Sequence, residues 1–286
     1  MGAGTSVQAE EELILEPNRA EHHYWRDLWS YRELLYILAW RDVIVRYKQT
    51  AIGIAWALVQ PTAQMLIMVI VFGKMAKLPS ESGAPYAIMV FAAMLPWQFF
   101  ASTIAAASMS IAGNANLVSK VYFPRMIIPA ATVMTSLVDF VIAFLILGVL
   151  MLWYGYVPTW RMLTLPVFVL LAMLAAFGPA LLIAALNTEY RDFRYIIPFI
   201  VQFGLYVSPV GFSSSVVRET FGDAVFAIYS LNPMVGVIEG FRWAILGGAT
   251  QPHIPALAMS FFVSVGFLLV GARYFRRLER TFADVV

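Results

Sequence analysis

The sequence predicts an all-α polytopic membrane protein with six transmembrane helices, and three observations carry that reading. Of its 286 residues, 61% are hydrophobic and only 13% charged, against roughly 45–50% and 25% in ordinary soluble domains. Mean hydropathy is +0.76. Apolar runs long enough to cross about 30 Å of hydrocarbon at about 1.5 Å per residue recur along the chain. The basic residues gather on one side of those runs. A soluble fold is excluded.

The chain starts polar and acidic, with Glu10, Glu11, Glu12 and Glu16, and lacks the basic and apolar regions of a cleavable signal peptide. Residues 1–24 are therefore expected to form a flexible acidic extension, followed by a single transmembrane domain over 25–286. Residues 31–48 read as a helix. At about 100° per residue its charges surround the axis instead of sharing a face, with Asp42 and Arg46 spaced to pair at i,i+4. Such a helix suits a position partly on the membrane and partly against a cytoplasmic protein.

Spans are expected at about 51–73, 85–113, 126–153 and 162–186, with a short one at 196–212 and a last at 254–272. Residues 213–253 mix Arg218, Glu219, Asp223, Glu239 and Arg242 with apolar stretches and break at Asn232-Pro233. The apolar piece from 234 to 247 makes about 21 Å of helix, too short to cross, and suits a re-entrant or interfacial hairpin. Without a crossing there, Arg19, Arg26, Arg32, Arg41, Arg46, Lys48, Lys120, Arg125, Arg191, Arg194, Arg273, Arg276, Arg277 and Arg280 share one side, 14 of the 19 basic residues. By the positive-inside rule both termini are then cytoplasmic.

The net charge of +2 carries no polyanion-binding signal, so nucleic acid is not an expected partner. No GxxxxGK[ST] loop, HExxH site or GxSxG elbow occurs, so ATP binding by a phosphate loop, zinc hydrolysis and nucleophilic catalysis find no support. No catalytic residue, metal site or cofactor is expected in this chain. Asp139 sits mid-span, where an aspartate costs about 2.5–3.5 kcal/mol on insertion scales. It reads either as a proton relay or pore-lining group, or as a carboxyl bonded to a neighbouring helix. Pro61 and Pro96 should kink the first two spans. Trp97, Phe99 and Phe100 follow Pro96; such rings stack on sugars, but equally form interfacial belts or core packing. Two short polar loops, 114–125 and 187–194, each join two long spans, so force applied to either reaches two helices directly. An ordinary positive-inside anchor explains them equally well.

Particular strings then add to composition. Arg46-Tyr47-Lys48-Gln49-Thr50-Ala51-Ile52-Gly53-Ile54-Ala55-Trp56 with Pro61 resembles the RYKxSxLGxxW…P opening of bacterial polysaccharide-export permeases, the membrane subunits of ABC transporters for O-antigen, capsule or teichoic acid. Leu95-Pro96-Trp97-Gln98-Phe99-Phe100, Asn116-Leu117-Val118 through Val121-Tyr122-Phe123-Pro124-Arg125, Tyr190-Arg191-Asp192-Phe193-Arg194, Ser208-Pro209-Val210 and Asn232-Pro233-Met234 follow in family order. Ala51-Ile52-Gly53 departs from the usual Ser/Val-Leu-Gly.

The resemblance implies a type V ABC exporter architecture: six spans, an N-terminal interface helix at 31–48, a coupling helix within 114–125 and an external re-entrant hairpin. It implies a homodimer around a central channel in the bacterial inner membrane, moving lipid-linked polysaccharide, with O-antigen the first choice. Two copies of a separate ATPase subunit would carry ATP and Mg. Aromatic lining of the polymer path makes Trp56, Trp97, Phe99, Phe100 and Tyr206 channel candidates. Arg41, Arg46, Tyr47, Asn116, Lys120, Tyr122, Phe123, Arg125, Arg191 and Asp192 become candidates for coupling to the ATPase. The competing readings are a permease for drugs or small lipids, a proton-coupled carrier using Asp139, and a membrane-bound glycosyl- or acyltransferase.

Overall fold

The computed structural model describes residues 24–48, 53–190, 192–247 and 253–282. The expected acidic extension up to residue 23, and Arg191, lie outside them. All regular structure among the described residues is helical. In order these are α1 (Tyr24–Ser30), α2 (Arg32–Lys48), α3 (Gly53–Met68), α4 (Tyr86–Gly113), α5 (Ala115–Lys120), α6 (Ile127–Trp153), α7 (Leu165–Glu189), α8 (Phe193–Val207), α9 (Ser214–Tyr229), α10 (Pro233–Leu246) and α11 (Ile254–Leu278).

Five helical stretches are long and apolar enough to cross a membrane: Ala55–Met75, Tyr86–Gly113, Ile127–Trp153, Trp160–Glu189 and Ile254–Leu278. The first continues α3 through a wider π-helical turn, Val69–Met75, where the Tyr86 ring lies against Gly73. The sixth expected span, 196–212, is shorter than predicted. Its helix α8 has 15 residues, about 22 Å, because Ser208-Pro209 ends it after Val207. Gly204, three residues before that end, packs on Trp97 of α4, and buried Ser208 accepts a 3.0 Å hydrogen bond from Asn232 Nδ2.

The same Asn232 caps α10. Its Oδ1 accepts from Met234 N–H at 3.0 Å, and Pro233 follows at the first helical position, where its missing donor costs nothing. α9 and α10 together are apolar enough to count as one further crossing but bend by 115° at their junction. α9 is itself broken at Gly222 (φ 83°, ψ 172°), a backbone state open essentially to glycine alone.

α4 is the centre of the bundle. Ala87 through Trp97 are buried without interruption, as befits a helix apolar on every face. Its most apolar stretch is 78% buried, whereas that of the first span is 17% buried, so α3 lies at the periphery. α4, α6, α7 and α10 share one core, and Leu38, Ile111, Val118, Phe123, Ile127, Phe275 and Phe282 form a second beneath α2 and α5. α7 and α11 cross backbone to backbone: a Cβ on Gly178 would lie 2.5 Å from Leu268 N, and one on Gly271 would lie 2.3 Å from the Gly178 carbonyl. Small residues at such a crossing permit close helix contact.

Candidate functional site

Both described termini meet at one end of the bundle, where the basic residues collect. α1 and α2 run almost continuously, because Tyr31 N–H bonds to Asp27 C=O (3.0 Å) and Leu35 N–H to Tyr31 C=O (3.2 Å). The helix thus starts earlier than the expected residue 31. Exposed Trp25, Trp29, Tyr36 and Trp40 fall within an arc of about 60° at 100° per residue. The charges do not share a face but these rings do, and Trp and Tyr favour the membrane–water boundary.

The expected Asp42–Arg46 pair does not form. Asp42 accepts instead from Arg41, at 2.9 Å from Nε and 2.7 Å from a terminal nitrogen. Arg41 also bonds Asn114 Oδ1 at 2.9 Å, at the junction of α4 and α5. Arg46 and Tyr47 both donate to Asp139 of α6. Burial, then the hydrogen bond to Asp139 and its charge, push the Tyr47 hydroxyl well above the usual phenol range. α2 is thereby tied to α4, α5 and α6.

The 114–125 segment divides into an exposed face and a buried anchor. Asn116, Ser119, Lys120, Val121 and Tyr122 are exposed, while Phe123 and Pro124 are buried. Arg125 is the fastener. Its backbone N–H bonds Glu279 Oε1 at 2.5 Å, and its guanidinium donates to the Glu279 carbonyl and, at 3.3 Å, to the Val118 carbonyl. Tyr24 hydroxyl donates to Glu279 Oε2 at 2.9 Å, and the Arg276 guanidinium lies 4.6 Å from the Tyr24 ring centre. Burial raises the Glu279 carboxyl above its usual value, against the lowering effect of these donors and of Arg125 and Arg276.

The second loop is tied to the same helix end, since Tyr274 of α11 donates to Glu189 at 3.1 Å. Asp192 is exposed, and Arg194 Nε reaches Met109 Sδ at 3.4 Å. Glu279, Tyr24 and Asn114 were not singled out from sequence. The one available signal was Glu279 itself, a lone carboxylate among Arg273, Arg276, Arg277 and Arg280.

The aromatic candidates separate by exposure. Trp97 and Phe99 are buried inside the chain, Trp97 against Gly204 and 5.5 Å from the half-buried Phe100, and Phe99 edge-on to Phe140 at 6.1 Å. Trp56 of α3 and Tyr206 of α8 are exposed. Phe199 and Phe203 extend the α8 face as a stacked pair, 6.0 Å apart. Gln98 Nε2 bonds Gln64 Oε1 at 3.2 Å, so the adjacent Trp97 and Gln98 hold α8 and α3 respectively against α4.

At the opposite end α10 lies under three connections. Arg242 donates to Val210 C=O (2.9 Å), Phe212 C=O (2.8 Å) and Glu81 Oε1 (3.2 Å). Tyr156 hydroxyl donates to Leu246 C=O, Tyr86 hydroxyl to Gly211 C=O, and Ser214 hydroxyl to Glu239. Arg161 stacks over Trp243, 5.1 Å from its ring centre.

The arrangement offers two features suited to transport: an anchored segment with an exposed polar face at the basic end, and an exposed aromatic face on α3 and α8. Comparison with known proteins agrees. The chain is 28% identical over 261 residues, 91% of its length and 98% of the relative's, to a Myxococcus xanthus protein named O-antigen export system permease protein RfbA. A Klebsiella pneumoniae protein of the same name is 24% identical over 255 residues, covering 89% of this chain and 95% of that one. Residues 33–246, from the start of α2 to the end of α10, match the ABC-2 type transporter family, and the chain belongs to that family of membrane transport proteins.

Proposed function

We propose that this chain is the channel-forming permease of an ATP-driven exporter that moves lipid-linked polysaccharide, with O-antigen the first choice, across the bacterial inner membrane. It acts as a homodimer with two copies of a separate ATPase subunit that hold ATP and Mg, and it catalyses no covalent step itself. The carrying observation is that relatives named as O-antigen export permeases align with it over nearly their whole length. Both termini are cytoplasmic, α1–α2 is the interface helix with its aromatic stripe in the headgroup layer, and α9–α10 is the external re-entrant hairpin.

In this reading the exposed face of α5, with Asn116, Lys120 and Tyr122, receives the ATPase, while Phe123 and Arg125 anchor it. Arg41, Arg46 and Tyr47 carry the push into α4 and α6, and Arg191 and Asp192 serve the second loop. Trp56 and Tyr206 have the exposure a channel wall needs, and Trp97, Phe99 and Phe100 support that wall from behind. Asp139, the acid a proton-coupled carrier would use, is engaged by Arg46 and Tyr47.

Depletion of the chain tests this. Long lipid-linked polymer should accumulate on the cytoplasmic side while its synthesis continues, and the retained glycan then distinguishes O-antigen from capsule or teichoic acid. Unchanged surface polysaccharide with no accumulation, in a strain lacking a second exporter, would reject it in favour of a small-molecule substrate.

A further inference from the structure

α11 touches both the parts that would have to move. At the basic end its last turns hold three separate segments: Tyr24 and the Arg125 N–H both bond the Glu279 side chain, and Tyr274 bonds Glu189. At the far end it holds both helices of the bent pair. The Gly236 N–H of α10 bonds the buried Ser260 hydroxyl at 3.0 Å, and a Cβ on Gly236 would sit 2.8 Å from Ala256 C=O. His253, which caps α11 by accepting from Ala256 N–H, packs edge-on against Phe226 of α9, 5.1 Å between ring centres. Between these ends lie 25 residues of unbroken helix, about 37 Å.

Between these ends α11 packs along α7, and the two backbones come closest where Gly178 faces Leu268 and Gly271. A helix keeps its length because every interior hydrogen bond is internal, so displacing one end displaces the other.

We propose that α11 is a strut carrying movement of the cytoplasmic segments to the outer α9–α10 pair, with Glu279 the positioning residue at its inner end and Ser260 the one at its outer end. The inference rests on the exporter reading above. It adds to that reading the route by which α5, far from the outer pair, acts on it.

The test uses the permease assembled with its ATPase subunits in proteoliposomes. The chain contains no cysteine, so Phe221→Cys, at an exposed position on α9, accepts a single fluorophore or spin label. Mg-ATP with vanadate should change the label's signal. Glu279→Ala should cut that change, and polymer moved per ATP hydrolysed, by about tenfold, within the span of ordinary coupling between distant sites, while ATP hydrolysis continues. Glu279→Gln keeps the side chain's length and one of its two acceptor oxygens, and should restore part of the signal. If Glu279→Ala does not accumulate in the membrane, Ser260→Ala decides, with the same uncoupling expected from the other end. A label that responds fully in both Glu279→Ala and Ser260→Ala, or that ignores nucleotide while transport proceeds, overturns the strut. Failure of the unsubstituted chain to bind an ATPase subunit or move polymer sinks the exporter reading and the strut with it, and is seen before any label is read.

Discussion

The two ends of the bundle handle charge in opposite ways. At the basic end the Arg41–Asp42 ion pair is half exposed, with side-chain exposures of 46% and 31%. At the opposite end Arg242 is 2% exposed, with Glu81 at 17%. A half-exposed pair gains little over water, about 0–1 kcal/mol. A buried guanidinium must be met on every side, and losing such a pair costs about 3–5 kcal/mol because the remaining partners stay desolvated. The ion pair of the basic end is thus a weak tie beside the buried Glu279 side chain, whereas at the opposite end a buried cation draws two connections onto α10. The first arrangement suits a surface that receives a partner, the second a position that must be held.

Arg242→Ala should show the largest effect, destabilising the chain by about 3–5 kcal/mol in thermal unfolding followed by tryptophan fluorescence in detergent. A loss under 1 kcal/mol would erase the contrast between the ends. Gly178→Leu comes next. The side chain meets α11 backbone that has nowhere to retreat, so overpacking of about 1–3 kcal/mol is expected, with α7 and α11 forced apart. Asp139→Asn should cost less than Arg242→Ala in the same assay, since the amide keeps one of the two oxygens to which Arg46 and Tyr47 donate. A loss equal to that of Arg242→Ala would mean that α2 is held from within the hydrocarbon.

The smallest effect is a pH slope from Glu279. Burial raises its pKa in the folded chain, so the folded state binds this proton more tightly than the unfolded state does. Its contribution to stability is complete below the ordinary carboxylate pKa and is lost as pH rises through the raised value. Glu279→Gln should flatten that slope in unfolding curves collected from mildly acidic to neutral pH. An unchanged slope would assign the pH dependence to another group.

Much of the architecture was legible because it is local. The hydrocarbon thickness turns helix length into a property of consecutive residues, so five long spans appear near their predicted bounds. Asn232-Pro233 announces a helix start through capping chemistry alone. The aromatic face of α1–α2 depends on α1 running on into α2, a continuity set by backbone bonds at Tyr31 and Leu35 rather than by charge spacing. α8 came out shorter than its apolar run, since Pro209 and the bond from Asn232 to Ser208 end the helix before hydrophobicity does.

The sequence by itself determined that this is a multi-pass membrane chain and where its long apolar helices lie, since composition and run length act between near neighbours or in sum. Only the tertiary structure decided which charges meet. Asp139 finds Arg46 across 93 residues, and Arg242 finds Glu81 across 161. The sign of a charge narrows its partners to a class. Choosing within the class takes distance and burial, and helix packing alone sets both.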